Sequence, residues 1–168
     1  MEDYWRYEQE IVRLFYDYVD SVLWFPYPVR YEEARLSPAL TDALRAWGRR
    51  HGEGLAAGER WPSPELPARL TAELPGLAAR VGDELGSAFE VEYASGSDDP
   101  MDQSRKLRYR STEPPTNPDA SAAFGALAEA ARAERAALAR RVASEPGGSR
   151  AWFAFQPGGG TIYRPPSP

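Results

Sequence analysis

The 168-residue chain contains no cysteine and a single histidine. The absence of cysteine excludes disulfides, thiolate metal sites, thiol catalysis and thiol redox switching. The one histidine, His51, excludes a site with several histidine ligands and leaves a histidine triad only one candidate member. Ser-x-x-Lys, Gly-x-Ser-x-Gly and kinase-type motifs are also absent. We therefore predict no catalytic residue, no metal site and no cofactor.

Long apolar runs are missing as well. No run approaches the roughly 20 residues of a membrane-spanning helix, and no signal peptide is visible. We expect a soluble, cytoplasmic protein that does not enter a membrane. The length fits one domain, and an apolar fraction of 42% with a charged fraction of 27% is ordinary for a globular chain. We predict a single α+β domain over residues 1–164 and a frayed tail over residues 165–168.

The net charge of −5 is distributed in blocks. Residues 1–34 carry eight acidic side chains against three arginines, and residues 88–104 carry five acidic side chains and no basic one. Residues 105–118 carry four basic side chains and one acidic one. Nucleic-acid binding needs a continuous basic patch, so this distribution predicts no nucleic-acid partner. It favours a basic protein partner that is steered by charge.

The N-terminal segment, residues 2–24, is predicted to form the first helix. Its apolar residues recur every three or four positions, at Tyr4, Tyr7, Ile11, Phe15, Tyr18 and Val22. Trp5, Leu14 and Leu23 widen the apolar arc, and a helix of this kind is either central in a core or covered by a partner. We therefore expect a homodimer or a partner protein to cover this helix.

Ser-Pro pairs predict the starts of two further helices, because serine caps a helix and proline suits its first position. The helix after residue 37 is expected to bury Leu40, Leu44 and Trp47 and to end in the glycine-rich stretch 48–58. The helix after residue 63 is expected to kink or break near Pro75 and to end at Gly86. A fourth helix is predicted from residue 117 or 119 to about residue 144.

Alternating patterns predict the strands. Residues 89–93 alternate apolar with acidic side chains and residues 106–110 alternate apolar with basic ones, so the two should pair with their charged, exposed faces together. A short strand is predicted at residues 29–34 and a terminal hairpin at residues 150–165. The predicted fold class is α+β, with about four helices packed on a mainly antiparallel sheet of four to five strands.

An acidic loop between the charged strands is the first candidate partner-binding segment. Asp98, Asp99 and Asp102 lie in it, but the EF-hand pattern is absent, which favours a solvated loop over a cation site. We expect these carboxylates to steer a basic partner.

The aromatic residues of the N-terminal third are the second candidate surface. They either fill an aromatic core or form an exposed interface, since tryptophan and tyrosine are favoured binding anchors. The candidate residues are Trp5, Trp24, Phe25, Tyr27 and Tyr31.

Two other features have structural interpretations. His51 follows two arginines near a helix end, where a histidine suits the helix dipole without any catalytic role. Pro157 to Gly160 precede a predicted strand rather than a helix, so they indicate a hairpin turn and not a phosphate-binding loop.

Three runs within residues 35–93 resemble small actinobacterial proteins, some of them of the immunity-protein type that neutralises polymorphic toxins. The runs are Leu36-Ser37-Pro38-Ala39-Leu40 with Leu44-Arg45-Ala46-Trp47, Trp61-Pro62-Ser63-Pro64, and Leu77 to Tyr93. They consist of helix caps and core leucines. The resemblance implies a small α+β protein without catalysis, and it assigns no functional residue.

Three hypotheses follow for the function. The first is a non-enzymatic protein-binding module, in its most concrete form an immunity or antitoxin-like inhibitor of a basic toxin. The second is a structural subunit of a larger bacterial assembly, which the apolar first helix suggests. The third is an enzyme with no familiar motif that uses Asp, Glu, Tyr or Arg side chains.

Overall fold

The computed structural model describes residues 6–17, 19–56, 63, 65–94, 106–144, 154–155 and 162–163. The chain divides into two compact units, Met1–Glu134 and Arg135–Pro168. In chain order the elements are α1 (Arg6–Gln9), β1 (Ile11–Leu14), β2 (Leu23–Trp24), α2 (Tyr31–Ala34), α3 (Pro38–Ala56), α4 (Glu65–Leu85), β3 (Glu90–Ala94), β4 (Lys106–Tyr109), α5 (Pro118–Ser144), β5 (Ala154–Phe155) and β6 (Ile162–Tyr163). The α+β class predicted from the sequence is confirmed. None of the helices in these ranges is long and apolar enough to cross a membrane.

A four-stranded sheet forms the first unit's framework, with the order β2-β1-β3-β4. β1 pairs antiparallel with β2 and parallel with β3, and β3 pairs antiparallel with β4. The parallel pair is possible because α2, α3 and α4 supply the long crossover that parallel neighbours require. In the second unit β5 and β6 pair antiparallel. The predicted pairing of residues 89–93 with 106–110 and the predicted terminal hairpin are both confirmed.

The core lies between the inner face of the sheet and the long helices. Phe25, Phe89 and Phe124 meet there with ring centroids 5.6 to 5.9 Å apart. Helix α3 buries Leu40, Leu44 and Trp47 as predicted, and the Trp47 indole donates a 2.9 Å hydrogen bond to a main-chain carbonyl of α4. The leucine stripe of α4 is buried at Leu70, Leu74, Leu77 and Leu85, and only its first member, Leu66, is half-buried.

The helix predicted over residues 2–24 is wrong, since the segment forms the one-turn helix α1 and the antiparallel pair β1–β2. β-Branched and aromatic side chains fit a sheet well, and pairing with β3 overrides the helical spacing. Leu14 and Leu23 are buried within the chain, Tyr7 is half-buried, and Trp5 lies outside the described residues. The argument for a dimer that covers an apolar helix therefore no longer holds.

Three smaller predictions also need correction. Residues 29–34 contain the helical turn α2 instead of a strand. Helix α3 continues through its glycines to Ala56, and α4 continues through Pro75 without a break. The prediction of Gly86 as the end of α4 is confirmed, because its φ of 78° is the left-handed conformation in which glycine is favoured.

The charged faces of β3 and β4 meet as predicted, but the carboxylate at their centre is not on an exposed face. Glu92 is only 3% exposed, and α1 lies over it. Its oxygens pair with Arg108 at 2.9 Å and with Lys106 at 3.3 Å, and they accept a 3.1 Å hydrogen bond from the Tyr7 hydroxyl. Glu92 on β3 is therefore a buried acceptor that binds side chains of both α1 and β4.

Replacing Glu92 should destabilise the fold more than replacing an exposed carboxylate. Glu92→Gln removes the charge that both basic side chains share, and the expected loss in unfolding free energy is about 2 kcal/mol. Glu33→Gln is the matched control, because Glu33 pairs with Arg30 at the exposed surface, where such pairs contribute less than about 1 kcal/mol. Urea unfolding of both variants measures the difference, and equal losses would contradict this role for Glu92.

Candidate functional site

Two adjoining cavities form a groove between helix α3 and the loop that joins β1 to β2. Their volumes are about 270 and 550 Å³. Val19, Asp20, Tyr31 and Arg45 line both cavities, so the two are continuous. We call this surface the α3 groove, and its remaining lining residues are Tyr16, Ser21, Val22, Pro28, Arg30, Glu32, Gly48, Arg49, Gly52 and Glu53.

Glycines of α3 allow the helix to lie close to the loop. A Cβ atom at Gly48 would lie 2.8 Å from Cγ1 of Val22, and one at Gly52 would lie 2.7 Å from the Tyr16 hydroxyl oxygen. Real Cβ atoms do not make contacts this short, so a larger residue at Gly48 would have to displace the Val22 side chain, and one at Gly52 the Tyr16 side chain. The depth of the α3 groove therefore depends on two glycines one helical turn apart.

Tyr31 and Arg45 occupy the middle of the α3 groove, where the two cavities meet. The Arg45 guanidinium lies over the Tyr31 ring at 5.0 Å and pairs with Glu32 at 3.1 Å. The Tyr31 hydroxyl accepts a 3.4 Å hydrogen bond from the Val22 main chain. Burial raises the pKa of Tyr31 above its ordinary value, so the phenol is neutral near pH 7. The Tyr31 ring and the Arg45 guanidinium, whose charge Glu32 neutralises, therefore form a flat contact surface and not a base or a nucleophile.

His51 supports one end of the α3 groove from below. Its ring stacks on Tyr16, with centroids 4.7 Å apart, and packs at a tilt of 43° against Trp47, with centroids 5.3 Å apart. Burial lowers the pKa of His51, since desolvation disfavours the charged imidazolium. The predicted role at the helix dipole is not supported, because α3 continues past His51 to Ala56 and the lowered pKa disfavours the charged ring. His51 instead packs between the Tyr16 and Trp47 rings.

The rim of the α3 groove carries charges that the described part of the chain does not neutralise. Asp20, Glu53 and Arg49 are exposed lining residues, and Asp17 is exposed next to Tyr16. None of the four side chains makes an ion pair or hydrogen bond with another described residue. Three of these free charges are negative and one is positive, so the rim favours a cationic occupant.

The predicted site residues separate into different environments. Phe25 is buried in the core, Tyr31 is buried beneath Arg45, and Trp24 is half-buried and stacked on Phe15 at 4.8 Å. Tyr27 alone of these four is exposed, at 41%. The fifth aromatic candidate and the acidic loop, Trp5 with Asp98, Asp99 and Asp102, lie outside the described residues.

Tyr27 stands at the tip of a fixed turn beside the α3 groove. Pro26 and Pro28 flank it, and Pro28 both lines the groove and bridges to Trp24. The Phe25 N–H donates to the Tyr27 carbonyl at 2.7 Å, and Arg13 Nη2 donates to the Pro26 carbonyl at 3.0 Å. An exposed aromatic ring on such a turn loses little conformational freedom when it enters an interface.

No protein-family model, curated protein or solved structure matches this chain significantly. Within the described ranges, no group of three or more His, Asp or Glu side chains is arranged to hold a metal ion. What the site does must therefore be argued from the α3 groove and its neighbours.

Sequence reasoning missed several residues that form the α3 groove, namely Tyr16, Val19, Asp20, Arg45 and Arg49. They come from two segments that only the fold brings together. Gly48 and Gly52 carried one usable signal, because glycines four residues apart inside a helix mark a face that a neighbour approaches closely. From the sequence alone, the same two glycines predict the end of the helix.

A glycine-to-alanine pair tests the close approach of α3. Gly48→Ala should destabilise the protein by about 1–3 kcal/mol, because the new methyl group overlaps the buried Val22 side chain. Gly76→Ala in α4 is the control, since nothing lies within 4 Å of its Cβ position, and it should stabilise by about 0.5–1 kcal/mol. If denaturant unfolding showed that both variants are more stable than the unchanged protein, α3 and the loop would not be in tight contact.

The lowered pKa of His51 predicts a pH dependence of stability. The unfolded chain binds the proton more readily than the folded one, so stability is full above the ordinary histidine value of about 6.5 and falls as the pH drops below it. With one histidine in the chain, His51→Gln should abolish this fall between about pH 7.5 and 5.5. Parallel unfolding profiles of the two proteins across this range would contradict the prediction.

Proposed function

We propose that the protein is a non-enzymatic protein-binding module and that its partner docks in the α3 groove. The observation that carries this proposal is the position of the exposed apolar side chains. Val19 is 42% exposed where the two cavities meet, and the Tyr27 ring is exposed beside the Pro28 end. Exposed tyrosines next to a preformed groove are favoured anchors of protein interfaces.

The charges around the α3 groove support a basic partner. Glu32 neutralises Arg45, and Glu33 neutralises Arg30, which leaves the free carboxylates of Asp17, Asp20 and Glu53 against Arg49. Such a rim attracts a cationic surface and raises its association rate. This charge, together with the resemblance to immunity proteins, supports an immunity or antitoxin-like inhibitor of a basic toxin that acts in the cytoplasm.

The aromatic side chains of the α3 groove are better suited to contact than to catalysis. Tyr31 has a raised pKa and a hydroxyl that is engaged by the main chain, and His51 lies under Tyr16 with a lowered pKa. The alternative of a structural subunit rested on an apolar first helix, which the structure replaces with a strand pair. Partner binding in the α3 groove is therefore the better-supported hypothesis.

Truncating the anchors should weaken partner binding selectively. The partner is first captured by a photo-crosslinking residue at position 27, with the same residue at position 72 on α4 as the control, and is then purified. Tyr27→Ala and Val19→Ala should each weaken the equilibrium affinity by about tenfold or more, since buried anchors contribute at least about 1.4 kcal/mol. Calorimetry measures the affinity of each variant.

Leu107→Ala is the matched control for these two variants. Leu107 is 46% exposed, and it lies on β4 at the opposite edge of the sheet from β2. Its truncation should leave the affinity unchanged. Equal losses in all three variants, or crosslinking at position 72 as efficient as at position 27, would remove the α3 groove as the docking site. An affinity that rises with salt concentration would exclude a basic partner.

A further inference from the structure

We propose that the outer face of the sheet holds a binding site for a carboxylate, formed by the side chains of Arg13 and Trp24. The outer face is the one opposite the core, and residues of β1 alternate between the two faces. Val12 and Leu14 point into the core, so Arg13 points outward. Trp24 is its cross-strand partner on β2, and the two side chains therefore lie next to each other.

Each side chain of this cross-strand pair has a hydrogen-bond donor without an acceptor among the described residues. Nε of Arg13 and Nε1 of Trp24 are both buried from solvent, and no atom of the described residues accepts a hydrogen bond from either. The other end of the guanidinium is held, because Nη2 donates to the Pro26 carbonyl at 3.0 Å. Buried donors are normally paired, so two unpaired donors on neighbouring side chains indicate an acceptor that binds there.

The charge of the outer face indicates that this acceptor is an anion. Among the described residues, this face carries five basic side chains, and four of them share three carboxylates, those of Glu10, Glu90 and Glu92. Arg6, Lys106, Arg108 and Arg110 each pair with at least one of them. Arg13 is the fifth, and no described carboxylate pairs with it. An otherwise acidic protein therefore has a local surplus of positive charge where the donors are free.

Aromatic rings surround the Arg13 guanidinium and limit what can bind. Its Cζ lies 5.6 Å from the Tyr7 ring centroid, 5.5 Å from that of Phe15 and 6.0 Å from that of Trp24. These three rings are half-buried, and the two donors themselves are closed to solvent, so a carboxylate reaches them only when a neighbouring side chain moves aside. A small planar anion with two oxygens suits two such donors, and low polarity around them strengthens a charge-assisted hydrogen bond.

The indole proton of Trp24 provides a direct test by NMR of the full chain with ¹⁵N-labelled tryptophan. The Trp24 resonance is assigned by its loss in Trp24→Phe. Titration with acetate, against chloride at constant ionic strength, should shift this resonance downfield in a saturable way. Trp47 is the internal control, because its indole already donates to Leu70 and should not respond. Acetate is the probe for a free carboxylate. A glutamate that is blocked at its amino and carboxyl termini is the probe for a carboxylate side chain of a partner.

Two variants of Arg13 complete the test. Arg13→Gln removes the charge and should weaken the apparent affinity for the carboxylate by about tenfold or more. Arg13→Lys keeps the charge among the rings but removes the Nε donor, so it should weaken binding as well, and an unchanged Trp47 resonance confirms that each variant is folded. Saturation by acetate alone, by blocked glutamate alone or by both would support the site and identify the source.

Three results would overturn the site. The first is a shift that stays linear in both titrations, which indicates a general solvent effect. The second is an unchanged apparent affinity in both Arg13 variants. The third is a water molecule whose cross-relaxation with the Trp24 indole proton persists at the highest carboxylate concentrations. Arg13 also helps to hold the Tyr27 turn beside the α3 groove. The titrations nevertheless use no partner protein, so carboxylate binding can fail or succeed separately from the proposed protein-binding function.

Discussion

The central position of β1 is the constraint on which the rest of the first unit depends. All four of its residues pair with β3 along one edge, Arg13 and Leu14 also pair with β2 along the other, and Val12 and Leu14 face the core. Because β1 is bonded on both sides, it fixes where the following loop leaves the sheet and where Arg13 emerges on the outer face. One wall of the α3 groove and the Arg13–Trp24 pair therefore have a common origin in this short strand.

The same position explains why the strand was mistaken for a helix. A strand that is buried on both faces has a nearly continuous apolar run, and Ile11, Val12, Leu14 and Phe15 also satisfy helical spacing. β3 and β4 were predictable because their outer faces carry charges of opposite sign, which leaves a strict alternation. The starts of α3 and α4 were predictable because a serine cap followed by proline is a local signal that needs no tertiary context.

The candidate site was less predictable than the fold, because it joins segments that are distant in the sequence. Phe25 and Tyr27 are two residues apart, and only the turn fixed by Pro26 and Pro28 decides that the first is buried and the second exposed. Gly48 is a second residue whose role the sequence alone does not reveal. Its role depends on Val22, whose approach to α3 follows from strand pairing and not from any pattern within the helix.

The charge blocks of the sequence have a different meaning once the strands are paired. The basic side chains of residues 106–110 are largely paired with Glu90 and Glu92. Neither this basic block nor the acidic block that holds the two glutamates therefore adds its full formal charge to the surface. Steering must then come from charges without an internal partner, and among the described residues near the α3 groove these are mainly carboxylates. Among the described residues of the outer face, the basic side chain without a carboxylate partner is that of Arg13. A protein with a net charge of −5 thus has unpaired carboxylates near the α3 groove and an unmatched arginine on the outer face of the sheet.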